Sequence, residues 1–248
     1  MDVVAIVGVV LAFSAIFLGN ALEGGQVAAL LDGPAFIIVI GGTLGAVILQ
    51  TPWASLLRAS KMSAWILKPP SLDVRQEIER LSTWSKTARR EGLLGLENIS
   101  QNIKDPFRRK GLELVVDGVE PHTIRRLLEI DSQARTDSDL AAAQVFKSMG
   151  GYAPTIGILG AVIGLIQVLG NLADPNELGA GIATAFVATI YGVGFANLLF
   201  LPIADRLRSQ VLRYAGADDL FIEGLIAIAD GEHPRSIEMR LHGLVAGH

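Results

Sequence analysis

The chain has 248 residues, half of them hydrophobic, with a mean hydropathy of +0.44. There is no cysteine, which excludes disulfides and thiolate metal sites. Four scattered histidines (His122, His233, His242 and His248) offer no metal-ligand spacing, so no metal site is expected; no cofactor, catalytic residue or enzyme activity is expected either.

The first apolar run, residues 3–22, is long enough to cross a ~30 Å hydrocarbon core, which takes ~17–25 apolar residues. Only Met1 and Asp2 precede it. It therefore lacks the positive flank of a cleavable signal peptide and is expected to stay in the membrane. The connector 23–33 carries Glu23 and Asp32 but no basic residue, and reads as external. The second run, 34–50, has Gly41 and Gly45 one helical turn apart, and Arg58 and Lys61 follow its end.

Residues 51–152 form a charged insertion with sixteen basic residues against thirteen acids. That mixture suggests solvated helices rather than a nucleic-acid face. Pro69 and Pro70 mark an entry, and Ser71 precedes a pattern with Val74, Ile78 and Leu81 on one face. Leu93, Leu96 and Ile99 continue at helical spacing. Pro106 opens a helix with Leu112, Leu114 and Val115. Asp117-Gly118 makes a turn, and Pro121 opens another helix with Ile124, Leu127 and Leu128. The apolar face is thin, and neighbouring subunits are expected to complete its burial.

The third run, 153–172, has Pro154 in its expected first turn, where proline is welcome. It carries Gly157 and Ala161, with Gly160 and Gly164 one step around. A connector with Asp174 and Glu177 leads to the fourth run, 178–201, with Ala188, Gly192 and Ala196. Such small-residue ladders let helix backbones approach closely in lipid. Pro202 closes the run, where it is expected to kink the helix or to mark a junction. The tail continues as a helix that ends at the turn cluster Gly231-Glu232-His233-Pro234.

None of the four runs contains Asp, Glu, Lys, Arg or His. Four such runs rarely coexist as buried helices of a soluble protein. All 21 basic residues fall in two segments, sixteen between Arg58 and Lys147 and five from Arg206 to Arg240. This is the pattern of the positive-inside rule. The expected fold is an all-α polytopic membrane protein with four transmembrane helices and both termini in the cytoplasm. Its segments are 1–50 (spans one and two with a short periplasmic loop), 51–152 (a cytoplasmic helical domain), 153–205 (spans three and four) and 206–248 (a cytoplasmic C-terminal helix).

The uncharged spans bear on mechanism. A proton carrier needs an ionisable group in the membrane. The strongest polar groups within the spans are Ser14, Thr43, Thr155, Gln167, Thr184, Thr189, Tyr191 and Asn197, and none of them exchanges a proton near neutral pH. Either the chain moves no ions, or another polypeptide supplies the protonatable group. Each threonine taken singly reads as a hydroxyl satisfied by its own i−4 carbonyl.

Several segments are distinctive together: Ala153-Pro154-Thr155-Ile156-Gly157-Ile158-Leu159-Gly160, Thr189-Ile190-Tyr191-Gly192, and Phe200-Leu201-Pro202-Ile203-Ala204-Asp205. Val116-Asp117-Gly118 and the tail from Ala227 to Arg235 add to them. With these the chain resembles, over essentially its whole length, the MotA/PomA family of flagellar motor stator proteins of the bacterial inner membrane. The resemblance implies a ring of identical subunits, a pentamer around two MotB-type partner chains. Each partner helix supplies the membrane Asp that binds the ion. Each elementary charge falling through ~100 mV releases ~2.3 kcal/mol, which turns the ring and pushes the rotor protein FliG.

By the same resemblance, Arg89, Arg90 and Glu97 match the family's rotor contact, with Asn98 where some members have an acid. Pro154 and Pro202 match the prolines of torque coupling. Thr189 matches the hydroxyl near the ion site, and Thr155 and Tyr191 join it along the expected path. Sodium-driven members carry Thr where this chain has Ala161. Loss of that oxygen ligand favours a proton as the coupling ion, and Ala188 points the same way. The alternatives are an ExbB/TolQ-type energiser, typically three-spanned with an external N-terminus, and a self-contained solute channel.

Overall fold

A computed structural model describes residues 3–66, 69–70, 73–170 and 175–246. Helices dominate, and no strand occurs among the described residues. In chain order they are α1 (Val3–Leu22), a 3₁₀ turn (Val27–Leu30), α2 (Gly33–Phe36), a π-helical stretch (Ile37–Gly41), α3 (Gly42–Gln50) and α4 (Trp53–Met62). There follow α5 (Val74–Glu91), α6 (Glu97–Asn102), α7 (Pro106–Val116) and α8 (Pro121–Gly170). The chain closes with α9 (Pro175–Phe195), a second π-helical stretch (Ala196–Phe200), α10 (Leu201–Ala229) and α11 (Pro234–Ala246). Stretches long and apolar enough to cross a membrane lie in Val27–Gln50, Pro121–Gly170 and Gly181–Ala229, with a shorter apolar run at Val7–Leu22.

Aspartates start three of these helices. Asp32, Asp73 and Asp105 accept hydrogen bonds from the backbone N–H of Ala35, Gln76 and Phe107. Each satisfies an orphan donor of a first turn. The start of α5 is thus fixed by Asp73, while Ser71 lies outside the described residues. Gly118 and Gly231, at φ +70 and +72, supply the left-handed turns expected from Asp117-Gly118 and the Gly231 cluster.

The chain divides into two compact units, Met1–Pro69 with Asp139–Ser209, and Pro70–Ser138 with Gln210–His248. In the second unit, Ile78, Leu81, Trp84, Leu96, Phe107, Leu112, Val115, Ile124 and Leu128 pack into one core with Leu220, Phe221, Leu225, Ile228, Ile237 and Leu241. The thin apolar face of the insertion is therefore covered in large part by the chain's own C-terminal helices. Leu81 is fully buried against Gly224, where an added Cβ would lie 2.5 Å from its Cδ1. Leu127, expected on the same face as Ile124 and Leu128, is exposed. The i, i+4 pair defines a stripe that i+3 falls beside.

In the first unit, α8 and α9 cross at backbone contact. A Cβ on Gly157 would lie 2.8 Å from the carbonyl oxygen of Ala188, and one on Gly164 3.0 Å from that of Gly181. The contact row is Ala153, Gly157, Gly160 and Gly164 against Gly181, Ala185, Ala188 and Gly192. Ala161 stands one step off it, half-buried. In span two the close approach falls on Gly42, against Ile156, while Gly41 and Gly45 meet nothing within 4 Å. The π-helical stretch just before Gly42 adds a residue to the turn and re-aims the small-residue face.

Pro154 does not sit in a first turn. It lies deep within α8, whose 50 residues begin at Pro121. Hydropathy marks where the apolar run begins, but the helix is already formed well upstream. A proline inside a helix leaves the i−4 carbonyl, here that of Gly150, without its donor. Packing holds the flanking turns instead: Gly150 is buried against Leu201, and Gly192 lies against Pro154 Cα.

Candidate functional site

The polar side chains of the spans fall into two sets. In one, two hydroxyls and an amide turn back on their own helix, Thr189 onto the expected i−4 carbonyl but Thr155 onto i−3. Thr189 donates to the Ala185 carbonyl at 3.3 Å, Thr155 to Tyr152 at 2.8 Å, and the Asn197 amide to Val193 at 2.9 Å. Thr43 departs from this pattern: it is fully buried and its hydroxyl has no partner among the described residues. Thr155 is exposed, and with Ile158, Leu159, Val162, Ile163 and Ile166 it forms an uncovered face of α8.

The second set gathers around Asp32. Its Oδ1 caps α2 through Ala35 N at 2.8 Å, and its Oδ2 accepts from the Thr184 hydroxyl at 2.6 Å. The Asp32 N–H donates to the Tyr191 oxygen at 3.1 Å, and that hydroxyl donates to the Leu30 carbonyl at 2.6 Å. An acid read from the sequence as part of an external loop is thus folded onto the helix that carries Thr184 and Tyr191. A half-buried carboxylate needs such partners, because each charge-assisted bond offsets ~1.5–3 kcal/mol of lost hydration. Phe36 stacks edge-on against Tyr191 and Phe195 beside this cluster. Tyr191 consequently points at the connector and not at Thr189. No sequence signal pairs residues so far apart.

Pro154 lies beside the α8–α9 crossing, against Gly192, whereas Pro202 lies in α10 next to Leu201, which packs on Gly150. Pro202 follows the π-helical stretch, in which the Leu201 N–H reaches Ala196, five residues back. That wider turn accommodates the donor that proline lacks. On α4, which follows α3, Arg58 bonds Asp139 of α8 at 2.5 Å, and the bond pushes the Arg58 guanidinium up from its ordinary value.

In the second unit, Arg89, Arg90 and Glu97 are all exposed. Arg90 pairs with its neighbour Glu91. Lys86, Arg89 and Arg90 line one side of a groove of about 590 Å³, and His233, Pro234, Arg235 and Glu238 at the start of α11 line the other. The sequence separates these two walls by more than half the chain, so only the fold joins them. Glu97 lies on α6, beyond the residues lining that groove. Among the described residues, no group of three or more His, Asp or Glu is arranged to hold a metal ion.

A chain that is helical throughout its described residues, with uncharged apolar helices and small-residue crossings, is built as a multi-pass membrane protein. Residues 99–217 match the MotA/TolQ/ExbB proton channel family, and residues 6–92 match the motility protein A N-terminal family. Motility protein A of Bacillus subtilis is 35% identical over 97% of this chain and 90% of its own length. The Helicobacter pylori protein is 32% identical over 99% and 96%. A structure of C. jejuni MotAB superposes with a TM-score of 0.93 at 30% identity, covering 98% of this chain and 96% of that one. The flagellar MotAB stator complex of Bacillus subtilis gives 0.88 at 34% identity, covering 97% and 95%. The chain belongs to the motility protein A family and is a flagellar stator subunit of the ion-channel type. The N-terminal match and these relatives set it apart from the ExbB/TolQ branch of the shared channel family.

Proposed function

We infer that the chain is the ring-forming subunit of a proton-driven stator that turns the flagellar rotor. The observation that carries this reading is the complete absence of Asp, Glu, Lys, Arg and His from residues 3–22, 34–50, 153–172 and 178–201. A proton path through such helices needs a carboxylate from elsewhere. A MotB-type partner supplies it, as the MotAB titles of the matched structures suggest. Five copies surround two partner chains, and the uncovered face of α8 with Thr155, Ala161 and the nearby Thr189 lines the path. Four spans place both termini and the segments 51–152 and 206–248 in the cytoplasm, where all 21 basic residues then lie.

Torque passes from the path through the Pro154 and Pro202 region to α8 and α10. The basic groove at Arg89 and Arg90, with Glu97 nearby, meets the charged face of FliG. Ala161 and Ala188 withhold the oxygen ligands a sodium ion needs to replace its hydration shell, which supports the proton.

Deleting the gene tests the reading. Cells are expected to keep filaments and lose rotation, with recovery on re-expression. Normal rotation in a strain without any other stator genes refutes it. Motor speed measured across sodium concentrations at fixed pH is expected to stay flat, and a steep sodium dependence refutes the proton assignment.

A further inference from the structure

The second unit contains a buried ionic cluster for which ion passage has no use. Arg108 of α7 binds Glu77 of α5 at 2.7 Å and Asp105 at 2.5 Å, and stands 3.7 Å from Asp218 of α10. Arg135 of α8 binds the other Asp218 oxygen at 2.5 Å. Arg80 completes the set on Glu77 at 3.0 Å. Three carboxylates and three guanidiniums therefore balance, with the Asp218 side chain only 12% exposed.

Asp218 joins α10 to α8. Both helices are continuous with membrane spans, since α8 runs on to Gly170 and α10 starts directly after the π-helical turn of the last span. The groups facing Asp218 are Arg108 and Asp105 from α7, Ser132 and Arg135 from α8, and Asp219 on its own helix. Glu77 of α5 acts through Arg108. The grip on Arg135 is incomplete. Its Nε is buried without a partner among the described residues, and its side chain is 41% exposed and stacked 4.0 Å from the Phe107 ring centroid. The guanidinium can therefore turn towards water and keep its aromatic seat.

We propose that the Arg135–Asp218 pair is a proton-operated clasp between α8 and α10, closed at neutral cytoplasmic pH and released when the cytoplasm acidifies. It rests on the cytoplasmic placement and stator role proposed above. Asp218 takes one proton from water, the cluster gains one positive charge, and Arg135 moves out to be hydrated. Burial is the dominant cause that pushes the Asp218 carboxyl up, to about 6, against the pull of Arg135 and Arg108 and with the help of Asp105 and Asp219. Opening the clasp uncouples the two helices that carry force from the spans, so torque falls inside an acidified cell.

Two measurements test it. Infrared spectroscopy of the full complex in lipid nanodiscs reads the carboxylic acid C=O band through pH 5–8, around the value of about 6. A band that titrates there and is absent in Asp218→Asn supports the clasp. Arg135→Gln, which removes a positive neighbour, is expected to move that titration to higher pH. No titrating band assignable to Asp218, or no shift in Arg135→Gln, overturns it. Motor speed is then followed as a permeant weak acid lowers internal pH. Native cells are expected to lose speed as the interior passes through about 6, and Asp218→Asn or Arg135→Gln cells to lack that component. Identical speed curves for native and both variants overturn the coupling. If the band behaves as expected in a chain that drives no rotation, the stator reading fails and the proton site stands.

Discussion

A single methyl group at Gly192 tests the packing of spans three and four. Its Cβ would lie 2.6 Å from the Ala153 carbonyl oxygen, 3.0 Å from Gly157 Cα and 3.2 Å from Pro154 Cα. All three are backbone atoms of one helix, so no side chain can rotate away. Restoring ordinary contact moves α8 and α9 apart by up to about 1 Å, a gap that forfeits a quarter to a half of each dispersion well along the crossing. Overpacking of this kind costs about 1–3 kcal/mol. For a chain of this size that is a fall in melting temperature of about 2–12 °C. The assay is thermal unfolding of the stator complex in nanodiscs, with swimming in soft agar as the functional readout. Gly216→Ala is the control. Gly216 lies exposed on α10 with nothing within 4 Å of an added Cβ. Alanine there improves helix propensity by up to ~1 kcal/mol, so the two variants are expected to shift in opposite directions. Gly192→Ala protein that melts and swims like the native refutes the close-approach argument.

Asp32→Ala removes the acceptor for Thr184 and for the Ala35 N–H, and is expected to cost about 1–3 kcal/mol in the same melt. Asp32→Asn keeps one acceptor and is expected to cost less, and equal effects of the two would contradict the hydrogen-bond account. Reversing Arg90 or Arg235 to Glu is expected to slow swimming while the protein stays in the membrane at native levels, as immunoblots of membrane fractions would report. A double reversal no worse than Arg90→Glu alone would separate Arg235 from the rotor surface. The raised Asp218 carboxyl also carries a sign for stability. The folded chain holds that proton up to about 6, and the unfolded chain only to the ordinary aspartate value of 3.8. Its contribution is full below 3.8 and is lost as pH rises through 6. The native chain should therefore gain on Asp218→Asn as pH falls from 7 to 4, by up to about 3 kcal/mol. A constant difference between their melting curves contradicts this.

Much of the membrane part was legible because lipid imposes a one-dimensional constraint. Apolar length, absent charge and the side on which arginine and lysine fall are properties of consecutive residues. The small-residue rows of spans three and four were visible for the same reason, since i, i+4 spacing is local. Which member of a row touches another helix was not local. Gly42 rather than Gly41 or Gly45 meets Ile156, because a π-helical stretch shifts the register. Pro154 shows the limit of hydropathy, which saw where apolar sequence begins but not that α8 had begun at Pro121.

The sequence by itself determined the long apolar runs and their emptiness of Asp, Glu, Lys, Arg and His. Only the tertiary structure decided that Asp32 folds onto Thr184 and Tyr191, that the C-terminal helices complete the core of the 70–138 segment, and that Arg235 joins Arg89 and Arg90 in one groove. It alone brought Asp218 between Arg108 and Arg135. The physical reason is common to all four. A helix fixes neighbours three or four residues apart through its own geometry, whereas contacts across ~100 residues depend on which faces bury together once the chain has closed on itself.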